Sequence, residues 1–198
     1  MTFARHAALV ALALATGCSS YKAEPEPPPE GEGGAPWPGP YGSTIGAHVR
    51  DAKFRGYATY TSTALVDVAL HDFYDPTAAS PKKLLFVGAG SLWCAPCREE
   101  AKELPAVATK LAAQVAFVDV VIDGSDPGTD ATADEVAAWT QTFEMPFFAG
   151  LDPAHAMLAY FDRTSVPFSM VVDTRTMQIV AAANQKPADI EAYIASHL

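Results

Sequence analysis

The chain has 198 residues, 23 acidic against 13 basic side chains and a formal charge of −10. Just under half the residues are apolar, enough to build the core of one domain with appendages. No basic run exists, which argues against nucleic-acid binding and against a polybasic membrane patch.

At the start, Arg5 precedes an apolar run from Ala7 to Ala15, followed by Thr16-Gly17-Cys18. A charged start, a short apolar core and a small-residue cleavage site make a signal peptide, residues 1–17. The run is too short to span a bilayer. Its ending resembles the bacterial lipoprotein signal, although Ala15 stands where that pattern carries Leu, and Leu14 lies one further back. The resemblance implies cleavage before Cys18 and lipidation of its sulfur. The alternative is an ordinary secretory signal cut nearby. With Cys18 lipidated, two of the three cysteines remain as thiols, in a compartment where disulfides persist.

Residues 18–43 read as a tether. Pro25, Pro27, Pro28, Pro29, Pro36, Pro38 and Pro40 alternate with Glu24, Glu26, Glu30, Glu32 and glycines, a composition that cannot bury a core. Where polyproline-like, at about 3.1 Å per residue, residues 19–42 reach up to roughly 70 Å. The folded domain is predicted over residues 44–198. Residues 63–73 are strand-like, and Asp75 to Pro81 is a turn region. Leu84–Ala89 is apolar without alternation, the mark of a buried central strand. A helix follows to Leu111, with Ala101, Leu104, Ala108 and Leu111 spaced for one buried face. Val115–Ile122 is a second buried strand, and Asp123–Asp130 a turn-rich loop. Thr132 with Glu135 is a capping box for a helix to about Phe143. A short helix is predicted over 153–161, a hairpin from Phe168–Val172 and Gln178–Ala182, and a last helix over 188–198.

Between the first buried strand and its helix lies Trp93-Cys94-Ala95-Pro96-Cys97. C-x-x-C at a strand-to-helix junction is the context of a redox motif. Unpaired N–H groups and the positive end of the helix dipole stabilise a thiolate at Cys94. Cys97, one turn later, is within reach to close a disulfide. Pro96 fits the first turn, where its missing N–H costs nothing. A structural disulfide over so short a loop stabilises little. A zinc site needs four ligands, and His48, His71, His155 and His197 stand at no ligand spacing to the cysteines, so no metal is expected. Asp123, Asp126 and Asp130 lack calcium-loop spacing. Gly88-Ala89-Gly90 is not a dinucleotide fingerprint.

The element order, the W-C-x-x-C motif, Glu99-Glu100 after it, Ser165-Val166-Pro167 before a strand, and Val49–Phe54 ahead of the core together resemble the thioredoxin fold. The match is to its extracytoplasmic TlpA/ResA-like thiol–disulfide oxidoreductases. The resemblance implies an α/β, thioredoxin-like fold: a central mixed sheet flanked by helices, with an N-terminal strand extension. It makes Cys94 the attacking thiolate and more exposed cysteine, Cys97 the resolving thiol, and the Cys94–Cys97 disulfide the redox group, with no other cofactor. It implies a cis peptide before Pro167, facing the cysteines, with Val166 backbone open to pair with an extended substrate. The alternative for Pro167 is an ordinary edge-strand proline. Glu100 stands where these proteins carry an acid that manages thiol protons; a solvated helix face is the bland alternative. Trp93 borders the sulfurs as a contact surface or packs. Three positions depart from the family pattern: Gly88 replaces a buried acid, Lys102 replaces the helix-kinking proline, with Pro105 three residues on, and Phe168 follows the later proline.

The expected function is reduction of disulfides in exported proteins, from a lipid anchor on a bacterial membrane facing the periplasm, fed by a membrane electron donor. Ala95-Pro96 brings no basic side chain to stabilise the thiolate, which favours a reductant over a disulfide oxidase. The competing classes are a non-enzymatic binding lipoprotein and a copper carrier using Met145, Met157, Met170 or Met177.

Overall fold

The computed structural model describes residues 37–198. Seven strands form one sheet: β1 (Lys53–Tyr57), β2 (Val66–Ala69), β3 (Leu84–Ser91), β4 (Val115–Asp123), β5 (Phe148–Leu151), β6 (Phe168–Asp173) and β7 (Ile179–Ala183). Their spatial order is β2-β1-β5-β4-β3-β6-β7. The central trio β5, β4 and β3 is parallel, and the outer strands pair antiparallel. Three helices pack around the sheet: α1 (Ala95–Leu111), α2 (Ala133–Thr142) and α3 (Ile190–Ala195).

The apolar runs without alternation become β3 and β4 at the sheet centre, because such strands are covered on both faces. Alternation along β3 divides the core. Leu85, Val87 and Ala89 join Phe54, Val118, Val120, Met157, Met170 and Met177 on one face. Leu84 and Phe86 face the other way, toward Leu104 and Val107 of α1 and Ile190 and Ile194 of α3. Thr132 and Glu135 cap α2 reciprocally, as their spacing predicts.

The structure corrects several boundaries. The strand predicted over 63–73 is only β2, followed by a 3-10 turn over Leu70–Phe73. Carboxylates bend it: Asp72 accepts the Ala69 N–H at 2.8 Å and Asp51 the His71 N–H at 3.0 Å. The helix predicted over 153–161 is one 3-10 turn, Ala156–Ala159, held by Asp152 at the N–H groups of Ala156 and Met157. The last helix is six residues long rather than eleven. β5 was not anticipated.

The folded part also begins before residue 44. Trp37 is 2% exposed, meets Tyr74 edge-on and donates its indole N–H to the Val49 carbonyl. Residues 46–49 then bond with Met177 and Ile179, which covers the outer edge where β7 begins. A Trp among prolines carries enough apolar surface to dock its segment.

Candidate active site

β3 delivers the chain to Cys94, which caps α1 in extended backbone. Its sulfur accepts the Cys97 N–H at 3.1 Å, one of the orphan donors of the first helical turn. Cys94 and Cys97 form a disulfide, with Cα atoms 5.3 Å apart. Opposite them the Val166–Pro167 peptide is cis, and the Val166 carbonyl oxygen lies 3.7 Å from Cys94 Sγ. Gly90 makes room below: a Cβ there would stand 3.4 Å from Cys97 Sγ.

The cysteines do not differ in exposure as expected. Both are 3% exposed, within an apolar cluster that Leu92, Trp93 and Val166 pack against. What separates them is position. Cys94 holds the cap and faces Val166, while Cys97 points into a small cleft lined by Gly90, Glu100, Asp119, Trp139 and Pro167.

Trp93 is fixed by Asp123 at the end of β4, whose carboxylate accepts its indole N–H at 3.0 Å. The same carboxylate accepts the Gly128 N–H at 3.0 Å and Arg163 Nε at 2.6 Å, and Arg163 also reaches Asp130 at 2.5 Å. Burial pushes the Asp123 carboxyl up, but the Gly128, Trp93 and Arg163 donors outweigh it and hold it below the usual range. The expected turn chemistry at Asp123 thus extends to a clamp. It joins the segment before Cys94 to the turn before Pro167.

Glu100 is 4% exposed, which excludes the solvated helix face. Its neighbour Glu99 is the solvated one, paired with Lys102 at 2.6 Å. Burial, with the charge of Asp119 next, pushes the Glu100 carboxyl up to about 8. Asp119 is raised by burial to about 6, against the indole N–H of Trp139, which it accepts at 2.9 Å. Sequence reasoning missed Asp119. The available signal was a lone carboxyl inside Val-Ala-Phe-Val-Asp-Val-Val-Ile, a run otherwise apolar throughout.

The structure therefore brings Trp93, Cys94, Cys97, Glu100, Val166 and Pro167 to one place at the ends of β3 and α1 and the start of β6. Cys18 lies outside the described residues. Met157, Met170 and Met177 are buried on the far face of the sheet, and Met145 is buried beside Trp139. Among the described residues no group of three or more His, Cys, Asp or Glu side chains is placed to hold a metal.

No family model matches the chain, and no curated protein does. Solved structures do. A DsbF homologue from Corynebacterium diphtheriae aligns at 21% identity and TM-score 0.54, over 77% of this chain and 87% of its own. A putative thiol:disulfide interchange protein DsbE from Chlorobium tepidum aligns at 19% and 0.55, over 76% and 92%. The thioredoxin domain of a thiol–disulfide oxidoreductase from Bacteroides vulgatus aligns at 15% and 0.55, over 78% and 97%. The fold is thioredoxin-like. At these identities the likeness establishes architecture, and the chemistry rests on the site.

Proposed function

We propose that this chain is a thiol–disulfide oxidoreductase acting outside the cytoplasm, tethered by a lipid on Cys18, that reduces disulfides of exported proteins. One observation carries the reading: Cys94 Sγ caps α1, accepts the Cys97 N–H and faces the Val166 carbonyl. A thiolate there is stabilised by that N–H and by the helix dipole. An extended substrate segment pairs with the Val166 backbone and brings its disulfide to Cys94. Cys94 attacks and forms a mixed disulfide, releasing one substrate thiol. Cys97 then attacks Cys94 Sγ, releases the second thiol and leaves the protein oxidised by two electrons. A membrane dithiol donor restores it.

The direction follows from charge. Ala95-Pro96 adds no cation, and buried Glu100 and Asp119 line the same cleft as Cys97. Both disfavour the thiolate and make the dithiol a stronger reductant. The neighbours named as thiol–disulfide proteins, one of them a secreted isomerase from Corynebacterium glutamicum, support the class and the compartment.

The test is a reduction assay on a protein disulfide with trapping. Cys94→Ala abolishes reduction, Cys97→Ala accumulates a mixed disulfide, and limiting alkylation marks Cys94 first. Reversed labelling overturns the assignment of roles, and a disulfide that resists mild reduction points to a binding module. A midpoint potential near about −120 mV, as in strong dithiol oxidants, reverses the direction. For the anchor, mass spectrometry finds acyl chains on Cys18, and Cys18→Ser releases a soluble domain with full activity. An unmodified Cys18 in the mature protein refutes it.

A further inference from the structure

Gly88 lies in β3 between two direct cross-strand partners, Asp119 of β4 and Ser169 of β6. Paired residues point to the same face of a sheet. That face meets α1: a Cβ built on Gly88 would stand 3.0 Å from Asp119 Oδ1 and 3.9 Å from Glu100 Oε1. The empty side-chain space of Gly88 thus separates two buried carboxyl groups, one from the sheet and one from the helix. Asp119 Oδ2 is already used by the Trp139 indole, and Oδ1 borders the Gly88 space that Glu100 Oε1 also borders. Around them, Glu100 Oε2 is buried without a hydrogen-bond partner among the described residues, and the Ser169 and Tyr193 hydroxyls are buried beside it.

Two buried carboxylates that border one such space repel each other, so ionising both is disfavoured and one proton stays on the pair over a wider pH range. Cys97 lines the cleft that both acids line.

We infer that Asp119 is a positioning residue for the exchange reaction: it shares one proton with Glu100 across the space left by Gly88 and thereby sets the pH at which Cys97 attacks. The inference rests on the redox reading above. With substrate held on Cys94, the Cys97 S–H bond breaks and its proton moves to the pair. The Cys97 thiolate forms the bond to Cys94 Sγ, and the Cys94–substrate bond breaks. The substrate sulfur leaves with the electron pair and takes up a proton from the pair or from solvent. The two cysteines are oxidised, and the substrate disulfide becomes two thiols.

Every charged or polar neighbour of the pair enters the pH dependence. Glu103 and Cys97 face it from α1, Trp139 from α2, Ser169 from β6 and Tyr193 from α3. Lys186, bound to Glu103 at 2.9 Å, is the cation that acts on Glu100. Burial raises both acids, and Asp119 raises Glu100 further, in accord with a shared proton.

The reduced protein is mixed with excess Ellman's reagent in a stopped-flow instrument between pH 5 and pH 10. Release of the second thionitrobenzoate reports the attack of Cys97 on Cys94. Asp119→Asn keeps an oxygen for Trp139 and removes a charge, so the midpoint of the pH–rate profile moves down by about one unit or more. Glu99→Gln leaves the profile unchanged. Carbon-13 NMR of the side-chain carboxyls in the unmutated protein provides the second measurement. Resonances of Asp119 and Glu100 that each show both titration steps support the pair. Superposed profiles for wild type and Asp119→Asn overturn the inference, and so do carboxyl resonances that titrate singly. Should Asp119→Asn fail to fold, the NMR titration decides alone. A Cys94–Cys97 couple inert toward dithiols defeats the redox reading, while the NMR result still stands or falls by itself.

Discussion

Glu100 links the site to the stability of the fold. Its folded carboxyl holds a proton up to about pH 8, while the unfolded one releases it near the ordinary 4.5. Between these values the native state binds the extra proton, so stability falls as pH rises. Each unit costs up to about 1.4 kcal/mol, and less here because Asp119 titrates in the same range. The contribution is fully present below pH 4.5 and lost through pH 8. Thermal unfolding is therefore expected at a lower temperature at pH 8.5 than at pH 5.5, and Glu100→Gln flattens the difference. A wild-type Tm that does not fall over that interval contradicts a buried protonated Glu100.

At the scale of elements, the docking of β1 onto β5 depends on two small residues. Gly56 pairs with Gly150, and a Cβ on Gly56 would stand 2.1 Å from the Ala149 carbonyl oxygen and 2.4 Å from the Gly150 Cα. Backbone cannot yield as a flexible side chain can, so Gly56→Ala should destabilise by about 3 kcal/mol, read as a lower denaturant midpoint with the fold otherwise intact. β5 is also the strand that sequence reading passed over. Its four residues, Phe-Ala-Gly-Leu, are too few to show a period, and their pairing partners are distant in sequence. β3, β4 and the capped α2 were legible, since burial on both faces and a reciprocal cap leave local marks. The C-x-x-C helix start was legible for the same reason. The same limit explains the site. Glu100 could be named because the resembling family carries an acid three residues after the second cysteine, but Asp119 stands beside Gly88 only through the register of two strands, and no local spacing encodes that. Arg163 escaped likewise: its partner Asp123 lies 40 residues earlier.

For the whole molecule, residues 37–49 are part of the fold. Compared with a chain beginning at residue 37, a chain beginning at residue 44 loses the buried Trp37 and its bond to Val49. The loss should approach about 3 kcal/mol, as for other buried aromatic deletions, and equal denaturant midpoints for the two chains would show that Trp37 contributes nothing.

Trp37 also sets a direction. It packs on Tyr74, and the adjoining Asp75 bonds to Thr174, which bonds to Lys83 just ahead of β3. The disulfide follows the other end of that eight-residue strand, about 26 Å away at some 3.3 Å per residue. Under the proposed N-terminal anchor, the domain therefore turns the end where residue 37 enters toward the membrane and its sulfurs away from it. With that proposed anchor, exported chains meet the sulfurs first. Under the same proposal, a donor seated in that bilayer must reach that height, or the domain must bow, each time two electrons are returned.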